Sequence, residues 1–173
     1  MRKKAIFLDR DGTICEDSGY ISSPDDVKLL PGAVDGLKML MQADYLLIIV
    51  TNQSGIARGY FTEKELKAVN QRVTDILDKG GIKIDKIYYC PHHPDENCRC
   101  RKPEPGMVLR AVTEFGLELK KCYIIGDSSR DIECGRRLGI RSVLISDKRE
   151  DDQSNPDYIA GDLKEAAEWI LKG

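Results

Sequence analysis

Two aspartates, Asp9 and Asp11, bracket Arg10 directly after the apolar run Ala5–Leu8. Residues two apart on an extended chain point the same way, so both carboxyl groups would leave that run on one side. Gly12 follows and permits a tight turn. Paired carboxylates at such a turn can hold a divalent cation, and one of them can act as a nucleophile. The same residue types also build solvated turns, so the pair alone decides nothing.

Three more polar signatures follow in chain order. Thr51, Asn52, Gln53 and Ser54 come after the apolar run Leu46–Val50. The hydroxyl, amide and backbone donors of Thr51, Asn52 and Ser54 suit phosphate oxygens. Cys100-Arg101-Lys102-Pro103 sets two cations before a proline. Lys102 can neutralise charge on a transferring phosphoryl group, and Arg101 can grip a second anion in a fork. Tyr123–Ile125 leads into Gly126-Asp127-Ser128-Ser129-Arg130-Asp131. Asp127 can complete an oxygen-ligand set for magnesium, and Asp131 can orient Lys102 or a metal-bound water. Each signature alone has a plain explanation as a turn, a helix cap or surface charge. Four together, at least three of them closing an apolar run, make chance a poor account.

The chain has six cysteines. Its basic start, Met1–Lys4, meets only four apolar residues, too few for a signal peptide, and no run approaches the roughly 20 needed to span a bilayer. The expectation is therefore a cytosolic protein, where disulfides are a poor explanation for cysteine. Cys90-x-His92 followed by Cys98-x-Cys100 offers three thiolates and an imidazole, a closed tetrahedral zinc set. Such a site would be structural. It would pin a loop at about 90–102 that ends in Arg101 and Lys102. Cys122 and Cys134 read as small core residues, and Cys15 as non-catalytic.

The elements that must position these groups alternate. Strands are expected at Ala5–Leu8, Leu46–Val50, Lys86–Tyr89, Tyr123–Ile125 and Ser142–Ile145. Helices are expected at Gly32–Gln42, from the N-cap Thr62 with Glu65 to about Asp78, from Pro105 to Phe115, over Ser129–Leu138, and from Asp162 to near Leu171. Asp147–Pro156 reads as a polar surface loop. The order predicts an α/β fold with a doubly wound, mostly parallel sheet, helices on both faces and ligands beyond the strands' carboxyl ends. A length of 173 residues favours one domain, 1–173. A net charge of -2 gives no pull toward nucleic acid or anionic membrane, so any anion must be caught by local donors.

Asp9-Arg10-Asp11-Gly12-Thr13, Thr51, Lys102, and Asp127 with Asp131 together resemble the four motifs of the haloacid dehalogenase (HAD) superfamily. The likeness spans nearly the whole chain. Phe7–Thr13, Asp17–Tyr20, Thr51–Gly59, Tyr89–Pro94 and Cys100–Pro103 further resemble its branch of heptose bisphosphate and histidinol-phosphate phosphatases.

The resemblance implies a Rossmann-like, HAD-like sheet without a separate cap domain, and a magnesium-dependent phosphatase. Asp9 would attack phosphorus and bind magnesium. Asp11 would act as acid and then base, its backbone carbonyl on the metal. Thr51 and Lys102 would hold the phosphoryl group, and Asp127 would bind magnesium. Asp17, Ser18, Gly19, Tyr20, Asn52, Gln53, Ser54, Arg101 and Ser128 would contact the sugar and its second phosphate. Zinc would take Cys90, His92, Cys98 and Cys100, not His93. The implied reaction is loss of the C7 phosphate from D-glycero-D-manno-heptose 1,7-bisphosphate, giving heptose 1-phosphate, by a monomer that needs no nucleic acid or membrane. Two departures stand out: a short Cys90–Cys98 loop, and Ser128 where some heptose enzymes carry lysine. Rival readings are a histidinol-phosphate or other phosphomonoester phosphatase, and a zinc-stabilised binding module without catalysis.

Overall fold

The computed structural model describes residues 3–147 and 153–173. Each expected apolar run forms a strand: β1 (Ala5–Leu8), β2 (Leu46–Asn52), β3 (Lys86–Cys90), β4 (Tyr123–Gly126) and β5 (Arg141–Ile145). A further strand, β6 (Tyr158–Ala160), pairs with β5. All six lie parallel in one sheet of order β3-β2-β1-β4-β5-β6.

Parallel neighbours need crossovers, and helices supply four of them. They are α1 (Ala33–Gln42), α2 (Glu63–Lys79), α3 (Gly106–Phe115) and α4 (Ser129–Leu138), with α5 (Leu163–Lys172) after β6. Alternation along each strand divides the core in two. Ile6, Leu8, Leu47, Ile49, Tyr123 and Ile125 face one layer with Leu37, Val73 and Ala167 of α1, α2 and α5. Ala5, Phe7, Ile48, Val50 and Ile124 face the other, with Val108 of α3 and Cys134 of α4. Burying each such Leu, Ile or Phe stabilises by about 1.5–3 kcal/mol.

The structure corrects several expected boundaries. β2 runs past Val50 because Thr51 and Asn52 pair with Tyr89 and Cys90 of β3. Gly32 and Pro105 cap α1 and α3 from outside, and α5 extends to Lys172. β6 was not expected; at three residues after a polar stretch it carries too short an apolar signal. Of the expected loop Asp147–Pro156, residues 148–152 lie outside the described residues; Asp147, Gln153 and Asn155 are exposed. The capping box at Thr62 and Glu65 forms as expected.

The strand order reverses beside β1, between β2 and β4, the place where open α/β sheets bind ligands. Asp9, Thr51 and Asp127 all leave carboxyl ends there. The β1–α1 segment carries only a short 3-10 turn at Pro24–Asp26, and the β3–α3 segment one at Pro94–Glu96. Among the described residues no layer covers this edge, and no helix is long and apolar enough to cross a membrane.

Candidate active site

Lys102 is the centre of the site. It is 3% exposed, and its Nζ donates to Asp9 Oδ1 at 3.0 Å and to Asp131 Oδ1 at 2.6 Å. Three chain segments meet at this one ammonium, with Asp9 93 positions before Lys102 and Asp131 29 positions after it. Asp131 is anchored from its other oxygen, which accepts from the backbone N–H and hydroxyl of Ser128, so one carboxylate caps α4 and holds Lys102. Two glycines make room for acids. A Cβ on Gly12, whose φ is +80°, would sit 2.0 Å from Asp127 Oδ2. A Cβ on Gly126 would sit 2.1 Å from Asp131 Cγ.

Asp11 is held differently. The guanidinium of Arg10, fully buried, donates to both its oxygens at 2.8 and 2.9 Å. The same guanidinium donates to Asn70 Oδ1 on α2 at 2.8 Å. Gln53 Nε2 donates to Asp11 Oδ2 and to Thr51 Oγ1. Asn52 clamps the loop that bears the lysine: its amide donates to the Lys102 carbonyl and accepts the Lys102 N–H, both at 3.0 Å.

The electrostatics call for a further positive charge. Burial pushes the Asp9 carboxyl up to about 7; Lys102 pulls it down, while Asp131 and Asp127 raise it again. Burial and then Asp131 also raise Asp127. Burial alone would lower Lys102, but the two carboxylates hold its ammonium above the ordinary lysine value. Donor oxygens of Asp9, Asp127 and Asp131 lie within 4.8 Å of one another. One ammonium leaves surplus negative charge there, and an all-oxygen donor set fits a hard divalent cation such as magnesium.

The cysteine cluster assembles as expected. Cys90 Sγ lies 3.0 Å from Cys100 Sγ and 3.5 Å from Cys98 Sγ, and His92 Nδ1 lies 3.2 Å from Cys100 Sγ. Zinc–sulfur bonds of about 2.3 Å in a tetrahedron imply sulfur separations of roughly 3.8 Å, so the donor set fits zinc with a slight expansion. Burial would raise the Cys98 thiol, but the Arg101 N–H, the Cys90 thiol and the Cys100 N–H bring it to about 7. His93 is turned to another task, capping the 3-10 turn at Pro94 by accepting from Asp95 N–H. Burial pushes the Cys15 and Cys134 thiols up, to about 12 and about 11, as suits inert core residues.

A cleft of about 370 Å³ opens over these groups. Asp9, Asp11, Thr51, Lys102 and Asp127 form its floor, and Asn52, Gln53, Ser54, Arg101 and Ser128 also line it. From the β1–α1 segment come Asp17, Gly19 and Tyr20. Ser18 is exposed and does not line the cleft: Asp17 Oδ1 accepts the Gly19 N–H, and the bend leaves Ser18 outside.

A HAD-hydrolase-like family profile matches residues 99–166. The D-glycero-beta-D-manno-heptose-1,7-bisphosphate 7-phosphatase of Pasteurella multocida is 37% identical over 181 residues, covering 99% of this chain and 98% of that protein. The chain belongs to the heptose-bisphosphate 7-phosphatase family. The family member of Haemophilus influenzae is 42% identical over 149 residues, 82% of this chain and 81% of that protein. Among solved structures, the D,D-heptose 1,7-bisphosphate phosphatase from B. bronchiseptica, complexed with magnesium and phosphate, superposes with a TM-score of 0.86 at 34% identity, covering 98% of both chains.

Sequence reasoning missed several groups in this heptose-bisphosphatase-family site. Arg10 and Asn70 form the brace behind Asp11. The available signal was an arginine between two acids at a strand end, and an asparagine on the apolar face of α2 among Leu66, Val69 and Val73. Pro94, Arg58 and Arg130 line the cleft too. Arg58 falls in the Thr51–Gly59 motif and is among the features that favour a heptose substrate, whereas nothing in the sequence singles out Arg130.

Proposed function

We propose that this chain hydrolyses the 7-phosphate of D-glycero-D-manno-heptose 1,7-bisphosphate, releasing heptose 1-phosphate and inorganic phosphate. The observation that carries the reading is the Lys102 ammonium bridging Asp9 and Asp131 beside Asp127. Relatives named for this activity, matching nearly end to end, support the substrate.

Each step falls to a group in the cleft. A carboxylate oxygen of Asp9 attacks phosphorus, and the bond from phosphorus to the C7 oxygen breaks. Asp11 gives that oxygen its proton. Asp11, now ionised, takes a proton from water as the water attacks phosphorus, and Asp9 leaves as a carboxylate. Splitting the displacement into two transfers avoids one hard step. Phosphoryl transfer needs positioning and charge neutralisation above all, and Lys102 and the Thr51 hydroxyl serve both on the transferring oxygens. Arg10 and Gln53 fix the Asp11 carboxylate, and Arg101 takes the second phosphate. Asp9, Asp127 and the Asp11 carbonyl would hold magnesium, which supplies further neutralisation of the phosphoryl charge. Cys90, His92, Cys98 and Cys100 would hold a structural zinc in the loop at about 90–102. On this reading residues 1–173 act as one domain, as a cytosolic monomer on a small sugar phosphate.

Steady-state kinetics on both heptose bisphosphate anomers and on histidinol phosphate tests the reading. A large preference for a heptose bisphosphate is expected. A preference for histidinol phosphate rejects it.

A further inference from the structure

We propose that Arg130 and Arg58 complete, with Arg101, a three-guanidinium seat for a non-transferring phosphate, and that Arg130 sets the preference for a bisphosphate over a monophosphate. The proposal rests on the phosphatase reading above and adds the residues that select its substrate.

Three observations converge on it. Arg58, Arg101 and Arg130 reach the same cleft from three separate elements: the β2–α2 turn, the zinc loop and the first turn of α4. All three lack a carboxylate partner among the described residues, whereas Arg10, Arg136 and Arg137 each have one. The Nη1 of Arg101 is buried with no hydrogen-bond partner among the described residues. Buried donors are normally satisfied, so this one marks a place for an acceptor.

The charges also oppose one another. Arg130 further sits in the first turn of α4, whose dipole disfavours a cation. Three like charges held together, one at the wrong end of a helix, are a stable arrangement only with an anion among them. A phosphate accepts from several guanidinium forks at once, which a carboxylate or a neutral sugar hydroxyl cannot match. Lys102 Nζ, 3.0 Å from Asp9 Oδ1, marks the end of the cleft where the reacting phosphate sits, and none of the three guanidinium groups pairs with Asp9 among the described residues, so theirs is a second seat. Arg101 and Arg130 also line an adjoining groove of about 400 Å³, which leaves room for a phosphate set away from Asp9.

The test compares wild type, Arg130→Gln and Arg130→Lys on heptose 1,7-bisphosphate and on heptose 7-phosphate, which lacks the second phosphate. Arg130→Gln is expected to lose about tenfold in kcat/KM on the bisphosphate, chiefly through KM, as removal of one charge-assisted contact implies. Its loss on the monophosphate should be much smaller, and its melting temperature, measured as the folding control, should match wild type. Arg130→Lys should recover part of the loss. Equal losses on both substrates, or no loss on either, overturn the proposal. If wild type itself turns over neither heptose phosphate, the reading of the substrate fails instead.

Discussion

At the scale of the residue, the site is a set of charges that the fold leaves one positive short. Lys102 answers two of the three clustered carboxylates, and Asp9 is still pushed up to about 7 by its burial. An acid held above its unfolded value of 3.8 keeps its proton longer in the native state. Its contribution to stability is therefore full below the unfolded value, falls as pH climbs toward about 7, and is level beyond. A divalent cation binds the ionised form. The melting temperature of the metal-free protein should therefore rise on adding magnesium, and rise more at pH 8 than at pH 5. In Asp9→Asn the increment should lose most of that pH dependence. A magnesium increment in the wild-type protein that is flat across this range contradicts the placement of the cation. Asp9, Asp11 and Asp127 were legible in the sequence because each follows a recognisable apolar run, and Lys102 because it pairs with Arg101 before a proline. Arg10 and Asn70 were not, because their roles exist only once β1 and α2 pack, 60 positions apart.

At the scale of the element, loops placed by strands matter more than the strands. Asn52 closes both hydrogen bonds on the Lys102 backbone, and the cluster of Cys90, His92, Cys98 and Cys100 gathers the loop's other side. Removing zinc should loosen the segment that delivers Arg101 and Lys102. Chelation, or Cys98→Ser, is expected to lower the melting temperature and to cut kcat/KM at least tenfold, with zinc content and activity falling together in a titration followed by metal analysis. Activity that survives complete zinc loss would detach the loop from catalysis. Caps and strand runs in these elements were readable from local chemistry, as Thr62 with Glu65 illustrates. β6 was not readable: three residues in a polar context derive their strand form from pairing with β5, a tertiary cause. The extension of β2 through Asn52 has the same origin in β3.

At the scale of the whole molecule, strand order does the assembling. With β1 at the switch point and β2 and β4 on either side, the carboxyl ends that carry Asp9, Thr51 and Asp127 become neighbours without any long-range design in the loops. The sequence displayed these groups in order along the chain, and the alternation of strands with helices implied the edge where they meet. Arg101 was legible as an anion grip, but Arg130 was not, because it lies in the first turn of α4, far along the chain from Arg58 and Arg101, and shares no spacing with them. The central claim is that Asp9 itself receives the phosphoryl group. Rapid acid quench of the enzyme turning over substrate labelled in the 7-phosphate, followed by peptide mapping, tests it directly. The account predicts a hydroxylamine-labile label on the peptide containing Asp9, formed and lost at rates consistent with turnover. Turnover without any label on that peptide, or an Asp9→Asn variant that keeps wild-type activity, would contradict it.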